Sequence, residues 1–253
     1  MLLSLGWTDG LILVGIGLVA GAAGGLLGIG GGIVMIPAMA LIFGDRWGLD
    51  SFHAYNLAAI TTAVVLAVPA AVQHARAKAV VYRFLPAIVP PAIVGVVLGV
   101  MTAGTLTGEH TRTLKHVFGA FLELVVVISL FQQWRTSRGE PHLRDVCPMP
   151  SRRLLIGLTV GVPSGFIAGL LGVGGGIWAV PAQSLLLGVR IRNAIATSML
   201  MIVGVALAAS MATSFDLSRL GDDPPLNQVG WWLAVWLAPG ALVGGWCGAW
   251  LTH

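Results

Sequence analysis

The chain has little charge. Asp, Glu, Lys and Arg make up 9% of its 253 residues, hydrophobic residues make up 57%, and the mean hydropathy is +0.90. A soluble globular domain carries about 25% charged residues, so a chain this poor in charge cannot cover a surface that faces water. Cysteine is also scarce. Cys147 and Cys247 stand far apart, without the paired spacing of a disulfide framework or a zinc site. His53, His74, His110, His116, His142 and His253 fall in loops or at chain ends with no ligand spacing between them, so neither a metal nor a cofactor is expected. The opening "MLLSLGWTDG" contains no basic residue and does not read as a cleavable signal peptide. The formal charge of +4 reads as loop arginine and lysine kept in the cytoplasm. It does not read as a nucleic-acid surface, which needs a basic stripe and a matching motif.

What the chain does have is long uncharged stretches, at 11–44, 54–73, 85–108, 117–129 (broken by Glu123), 154–189 and 229–251. About 18 or more apolar residues suffice to cross the roughly 30 Å hydrocarbon layer. The expected class is therefore an all-α polytopic membrane protein. Loop charge predicts its topology by the positive-inside rule. The cytoplasmic loops are 74–83 (Arg76, Lys78, Arg83), 135–153 (Arg135, Arg138, Arg144, Arg152, Arg153) and 188–193 (Arg190, Arg192). The outer loops are 44–53, 104–116 and 215–228, where Asp45, Asp50, Glu109, Asp216, Asp222 and Asp223 lie. Trp7, Trp47, Trp134, Trp231 and Trp232 flank the spans as interface anchors.

Single spans fit 54–73, 84–103, 114–134, 193–214 and 229–251, while 11–43 and 154–187 must each leave and return on one side. Parity then predicts two inverted-topology repeats, each a glycine-broken helical hairpin plus two transmembrane helices. The first repeat covers 1–113, a linking span and cytoplasmic loop cover 114–153, and the second repeat covers 154–253.

The two hairpins share a phrase. "GGLLGIGGGIVMIPA" at 24–38 returns as "AGLLGVGGGIWAVPA" at 168–182, and eleven of eighteen positions are identical between Gly21–Ala38 and Gly165–Ala182. A weaker echo pairs "PPAIVGVVLGV" (90–100) with "PGALVGGWCGA" (239–249). Internal duplication of this kind is common in secondary transporters. A dinucleotide fingerprint fails because Ile33 stands where its third glycine belongs, and a phosphate-binding P-loop fails because neither copy has a lysine.

The spaced glycines Gly17, Gly21 and Gly25, and Gly157, Gly161, Gly165 and Gly169, suit close helix packing in lipid. Packing explains the clustered ones poorly: Gly28, Gly30, Gly31 and Gly32, and Gly172, Gly174, Gly175 and Gly176. Each glycine costs a helix about 1 kcal/mol relative to alanine, so the chain is expected to unwind there. Unwound backbone at membrane depth must line a cavity or be buried in protein. If helices resume beyond the glycines, their free N–H groups and dipoles offer an anion site that needs no buried cation. These eight glycines are the candidate substrate-binding backbone.

The phrase G-x-x-x-G-L-L-G-x-G-G-G-x-x-x-x-P, present once per half, resembles the TauE/SafE-type sulfite exporter family, as does the "QHARAKAVVYRFLP" stretch at 73–86. The resemblance covers nearly the whole chain. It implies transport of a small sulfur-containing anion (sulfite, thiosulfate or sulfoacetate-like) or another small organic anion across the bacterial inner membrane. It also implies a polar pair early in the helix after each hairpin. Thr197 and Ser198 match in the second half; in the first, Asn56 stands near the expected place and Thr61–Thr62 lie about a turn later.

Two further polar residues are candidates. Glu123 is a carboxylate well inside a span, either a proton carrier or a hydrogen-bonded structural group. Gln183 stands where the first half has Met39 and would offer an amide to an oxyanion or to a backbone group. The expected function is a secondary transporter working by alternating access, with an anion channel or a membrane assembly subunit as alternatives. An enzyme would need a nucleophile with a base, or a metal cluster, and the spans contain no such set. The expected partners are a small anion, the lipid bilayer and a coupling ion (proton or sodium), with self-association into a homo-oligomer left open.

Overall fold

The computed structural model describes residues 6–44, 51–106, 110–137, 153–217 and 226–252. Much of the loop charge that predicted the topology, including Asp45, Arg46, Asp50, Glu109, Arg138, Glu140, Arg144, Asp145, Arg152, Asp222 and Asp223, lies outside them, as does Cys147. The described residues form helices and no β-strand.

The first half holds α1 (Trp7–Leu27), α2 (Gly32–Phe43), α3 (Ser51–Arg76) and α4 (Leu85–Thr105). Then comes α5 (Thr111–Ser137). In the second half α6 (Arg153–Ile156) continues through a π-helical turn, Gly157–Gly161, into α7 (Val162–Leu171). It is followed by α8 (Gly176–Leu187), α9 (Ile191–Leu217) and α10 (Leu226–Leu251).

Among the described residues six segments are long and apolar enough to cross a membrane: Trp7–Leu27, Ser51–Arg76, Tyr82–Thr105, Leu154–Leu171, Ile191–Leu217 and Leu226–Leu251; the span expected at 114–134, in α5, is not one of them. The protein is an all-α multi-pass membrane protein. The 12-residue helices α2 and α8 each reach about 18 Å at 1.5 Å per residue, against about 31 Å for the 21 residues of α1.

The spaced glycines decide which helices meet. Lipid tails are as apolar as leucine, so helices associate in a membrane by close packing and hydrogen bonding. On α1, a Cβ built at Gly21 would lie 2.6 Å from the Ala241 carbonyl oxygen of α10, and one at Gly25 would lie 2.5 Å from that of Gly245. From α10, Gly240, Gly244 and Gly248 press back on the α1 backbone at Val14, Leu18 and Ala22. The same arrangement recurs on the other side. Gly161, Gly165 and Gly169 meet the α4 carbonyls of Ile88, Ala92 and Val96, while Gly95 and Gly99 of α4 meet those of Val162 and Phe166. Each half's first long helix is thus packed on the last helix of the other half. The weak echo between 90–100 and 239–249 supplies the small residues that receive the repeated glycine rows.

Between these pairs lie α3 and α9, the most buried spans, which pack on each other and on α10 and α4 respectively.

A methyl group at Gly165 would overlap the Ala92 carbonyl oxygen, whereas one at Gly15 meets nothing within 4 Å. Gly165→Ala is expected to destabilise the protein by about 1–3 kcal/mol through overpacking. Gly15→Ala is expected to leave stability unchanged or to raise it, by up to about 1 kcal/mol of helix propensity. Thermal unfolding followed by tryptophan fluorescence checks the pair, and equal Tm values would contradict the packing described here.

Candidate functional site: the crossed glycine breaks

Both breaks have one backbone conformation. Helix α1 ends at Gly28 (φ 73°), whose N–H donates to the Gly24 carbonyl at 2.8 Å, and α7 ends at Gly172 (φ 71°), bonded to Ala168 at 3.0 Å. Gly30 and Gly174 have φ of 85° and 80°, and Gly31 and Gly175, which cap the starts of α2 and α8, have 76° and 73°. A side chain in this left-handed region costs roughly 1–2 kcal/mol per residue. Three such positions within four residues explain why glycine fills them. Unwinding after Leu27 and Leu171 follows directly.

The breaks cross and touch. A Cβ at Gly30 would lie 3.3 Å from the Gly174 Cα, and one at Gly174 would lie 3.3 Å from the Gly30 Cα. A Cβ at Gly32, the first residue of α2, would lie 2.5 Å from the Gly172 carbonyl oxygen, and one at Gly176, the first residue of α8, would overlap that of Gly28. The C-terminal carbonyl of α1 therefore abuts the start of α8, and that of α7 abuts the start of α2. Helix C-termini carry partial negative charge and N-termini partial positive charge, so both contacts are electrostatically favourable. All eight glycines are buried. Of the two conditions that permit unwound backbone at this depth, burial in protein is the one met here. The carbonyl oxygens of the opposite break stand where the helix starts would receive an anion.

Two of the predicted side chains join the crossing, again reciprocally. Asn56 of α3 donates from Nδ2 to the Leu170 carbonyl in the last turn of α7 at 3.1 Å, and its buried Oδ1 has no hydrogen-bond partner. Ser198 of α9 shares its hydroxyl proton between the carbonyls of Gly28 (3.1 Å) and Ile195 (2.8 Å). Each half thus supplies a polar side chain to the other half's break, which makes Asn56, rather than Thr61 or Thr62, the counterpart of Ser198.

The other predicted residues lie elsewhere. The Thr197 hydroxyl donates to Asn193 O (2.7 Å) and accepts the Val81 N–H (3.0 Å), which ties the α3–α4 connection to α9. Gln183 is completely buried, with neither amide atom hydrogen-bonded. It stands seven residues past Gly176, about 10 Å along α8. Glu123 lies on an exposed face of α5 and does not reach the crossing.

Sequence reasoning missed the receiving carbonyls, which no side-chain pattern marks. It also missed the tie between Trp178 Nε1 and the Thr159 carbonyl at 3.0 Å, inside the π-helical turn. A π turn shifts the carbonyl ladder of a helix, and the indole N–H meets one of its carbonyls. The available signal was that Trp178 replaces Val34 of the first half. Among the described residues no group of three or more His, Cys, Asp or Glu side chains is placed to hold a metal ion.

The sequence profile described as "Sulfite exporter TauE/SafE" matches residues 13–253. The chain belongs to the TauE/SafE family. Its relatives carry the description "probable membrane transporter protein". A Bacillus subtilis relative, YunE, is 25% identical over 264 residues, covering 94% of this chain and 87% of its own length. One from Xylella fastidiosa is 27% identical over 245 residues, covering 96% and 84%. MamO of Paramagnetospirillum magneticum is 26% identical over 262 residues. The chain spans only 40% of that MamO and 39% of the one from Magnetospirillum gryphiswaldense. No solved structure matches. TauE/SafE proteins are membrane transporters, and the bacterial inner membrane suits a helical bundle of this family.

Gly188 (φ 64°) has nothing within 4 Å of a built Cβ, whereas at Gly174 (φ 80°) the methyl group also presses on Gly30 and approaches Ala63 at 3.6 Å. Gly188→Ala should cost only the roughly 1–2 kcal/mol of a left-handed alanine. Gly174→Ala should cost at least about 1 kcal/mol more through overpacking. The fraction of monodisperse protein left on gel filtration after graded heating measures both, and equal losses would mean that the crossing is not tightly packed.

Proposed function

We propose that this TauE/SafE protein is a secondary transporter that moves a small sulfur-containing anion, such as sulfite, thiosulfate or a sulfoacetate-like compound, by alternating access at the crossed glycine breaks. The observation that carries this reading is the placement of the Gly28 and Gly172 carbonyls against the starts of α8 and α2. A helix start is a ready anion site. In this closed conformation an internal oxygen stands against each one. Separating the breaks would free both starts for a substrate oxyanion, with Gly31, Gly32, Gly175 and Gly176 offering backbone and Ser198 and Asn56 offering side-chain groups. With the halves 1–113 and 154–253 inserted in opposite senses, as loop charge predicts, the site would gain two access routes, as inverted repeats do in other transporters.

The alternatives are weaker. A channel needs a continuous opening at the crossing, and the buried, mutually packed glycines favour a closed centre that must rearrange. Dependence of flux on a proton or sodium gradient separates the two. An assembly role without transport leaves the break geometry without a purpose, and the family's description as an exporter favours transport over catalysis, although α3 buries His53 and His74, which the sequence placed in loops. Glu123 is assigned no coupling role at the crossing, because it lies on the exposed face of α5.

The test uses Gly30→Cys with Gly174→Cys in a protein whose own cysteines are replaced. Each built Cβ lies 3.3 Å from the opposite Cα, within reach of the Cβ separation of about 3.8 Å that a disulfide needs. Oxidation is expected to cut sulfite or thiosulfate flux into proteoliposomes at least about tenfold, the effect of closing a required conformational step. Reduction should restore it. Undiminished flux through the cross-linked protein would refute alternating access at this crossing.

A further inference from the structure

Helices α3 and α4 are consecutive in the chain, yet each packs on α9 far more than on the other. The connection between them lies across α9 near its start. Ala79 and Val80 cluster there with Ala196, Ala75 and Leu200 pack against that cluster, and the Val81 N–H donates to the Thr197 hydroxyl at 3.0 Å. This makes a groove with α3 and α4 as rims, α9 as floor and the connection across one end.

Leu200, Val203, Gly204, Leu207 and Met211 form the floor. Their spacing of i, i+3, i+4, i+7 and i+11 is one face of α9, half-buried at Leu200 and open at Leu207 and Met211. A Cβ built at Gly204 would meet only the Val89 side chain of α4, at 3.7 Å. Ile202, the α9 side chain that meets built Cβ atoms at Gly174 and Gly176, lies about 200° around the helix from Gly204. The groove therefore opens away from the glycine crossing. On α3, Val68 and Val72 share a face with Ala75, and on α4 Ile93 follows Val89 by one turn. Val68, Val72 and Ile93 are exposed and apolar.

The connection across the end is basic. Arg76, Lys78 and Arg83 are exposed, and the stretch 73–86 contains no acidic residue. Among the described residues none of these three side chains makes a hydrogen bond or ion pair. The turn that presents them is fixed by its own backbone: Lys78 takes φ of 54°, its N–H donates to Ala75 O at 3.0 Å, and that of Ala79 donates to His74 O at 3.1 Å. The spans Ser51–Arg76 and Tyr82–Thr105 meet at this connection, which puts the three cations at the level of lipid head groups.

Lipid tails cover any apolar face of a membrane protein, so head-group charge is what this groove can select. Basic residues beside a span attract anionic lipids. A zwitterionic head brings a cation of its own against the arginines and the lysine. We propose that the α3–α9–α4 groove is a binding site for an anionic phospholipid of the phosphatidylglycerol type, with its phosphate at Arg76, Lys78 and Arg83 and its chains along the α9 floor. The proposal goes beyond the transport reading and does not depend on it, since the test reads binding and no flux is measured.

The test is native mass spectrometry of the whole detergent-purified protein, titrated with phosphatidylglycerol or with phosphatidylcholine of the same chains. Phosphatidylglycerol is expected to bind at least about tenfold more tightly, the order of one charge-assisted contact. Arg76→Gln with Arg83→Gln should lower it to the phosphatidylcholine level, while Arg76→Lys with Arg83→Lys keeps the selectivity. Gly204→Leu has room for its Cβ, leaves all three cations in place, and should displace the chains and weaken phosphatidylglycerol by at least about tenfold. Equal affinity of the wild type for the two lipids, or undiminished phosphatidylglycerol binding in the double glutamine variant or in Gly204→Leu, would overturn the site. Displacement of phosphatidylglycerol by millimolar glycerophosphate would overturn the lipid assignment and give the three cations to a soluble anion.

Discussion

The contact on which the rest of the structure depends is the crossing of two unwound segments in which each helix end faces a helix start. Gly28 closes α1 against Gly176, and Gly172 closes α7 against Gly32. Unwound backbone inside a bilayer is tolerable only when its polar groups are sheltered, and neither break shelters its own. The two breaks shelter each other. Glycine is required twice over, once for the left-handed φ and once because the opposing main chain leaves no space for a Cβ.

That requirement propagates outward. For the breaks to meet, α1 and α7 must bring their C-terminal ends to the centre, and the glycine rows on each helix set how closely it packs on the last helix of the other half. The same residue class thus serves at two scales. Spaced every four residues it lets α1 approach α10 and α7 approach α4. Clustered, it ends the helix. Asn56 and Ser198 then reach across from α3 and α9 to hydrogen-bond carbonyls of the opposite half, so neither half completes its own break.

The halves are related but not equivalent. Trp178 replaces Val34 and is tied to a π-helical turn, a feature that α1 lacks. A buried, unpartnered Gln183 replaces Met39. A cavity lined in part by Lys115 lies beside α2, whereas a smaller cavity beside α8 has no charged group among its described lining residues. Under the proposed alternating access, such differences would bias one state over the other, since a perfectly symmetric pair would populate both equally.

Several features were readable in the sequence because they are local. Hydropathy over about 18 residues reports a span, three glycines in a row report a break, and identity between two phrases reports a repeat. The membrane class, the ends of α1 and α7 and the family all follow from such signals. The family resemblance directed attention to Ser198 and Asn56 but left the counterpart of Ser198 unresolved, because alignment by residue type offered Asn56 and Thr61–Thr62 alike. Only the hydrogen bonds to Gly28 and Leu170 separate them. Thr197 looked identical to Ser198 in sequence, yet it points to Val81, because neighbouring residues of a helix face about 100° apart. Whether the breaks line a cavity or bury each other depends on contacts between residues 140 or more positions apart. The chain determined by itself where it must unwind. What it unwinds against was decided by the tertiary structure, because a backbone carbonyl leaves no mark in the side-chain pattern and finds its partner only once both halves are in place.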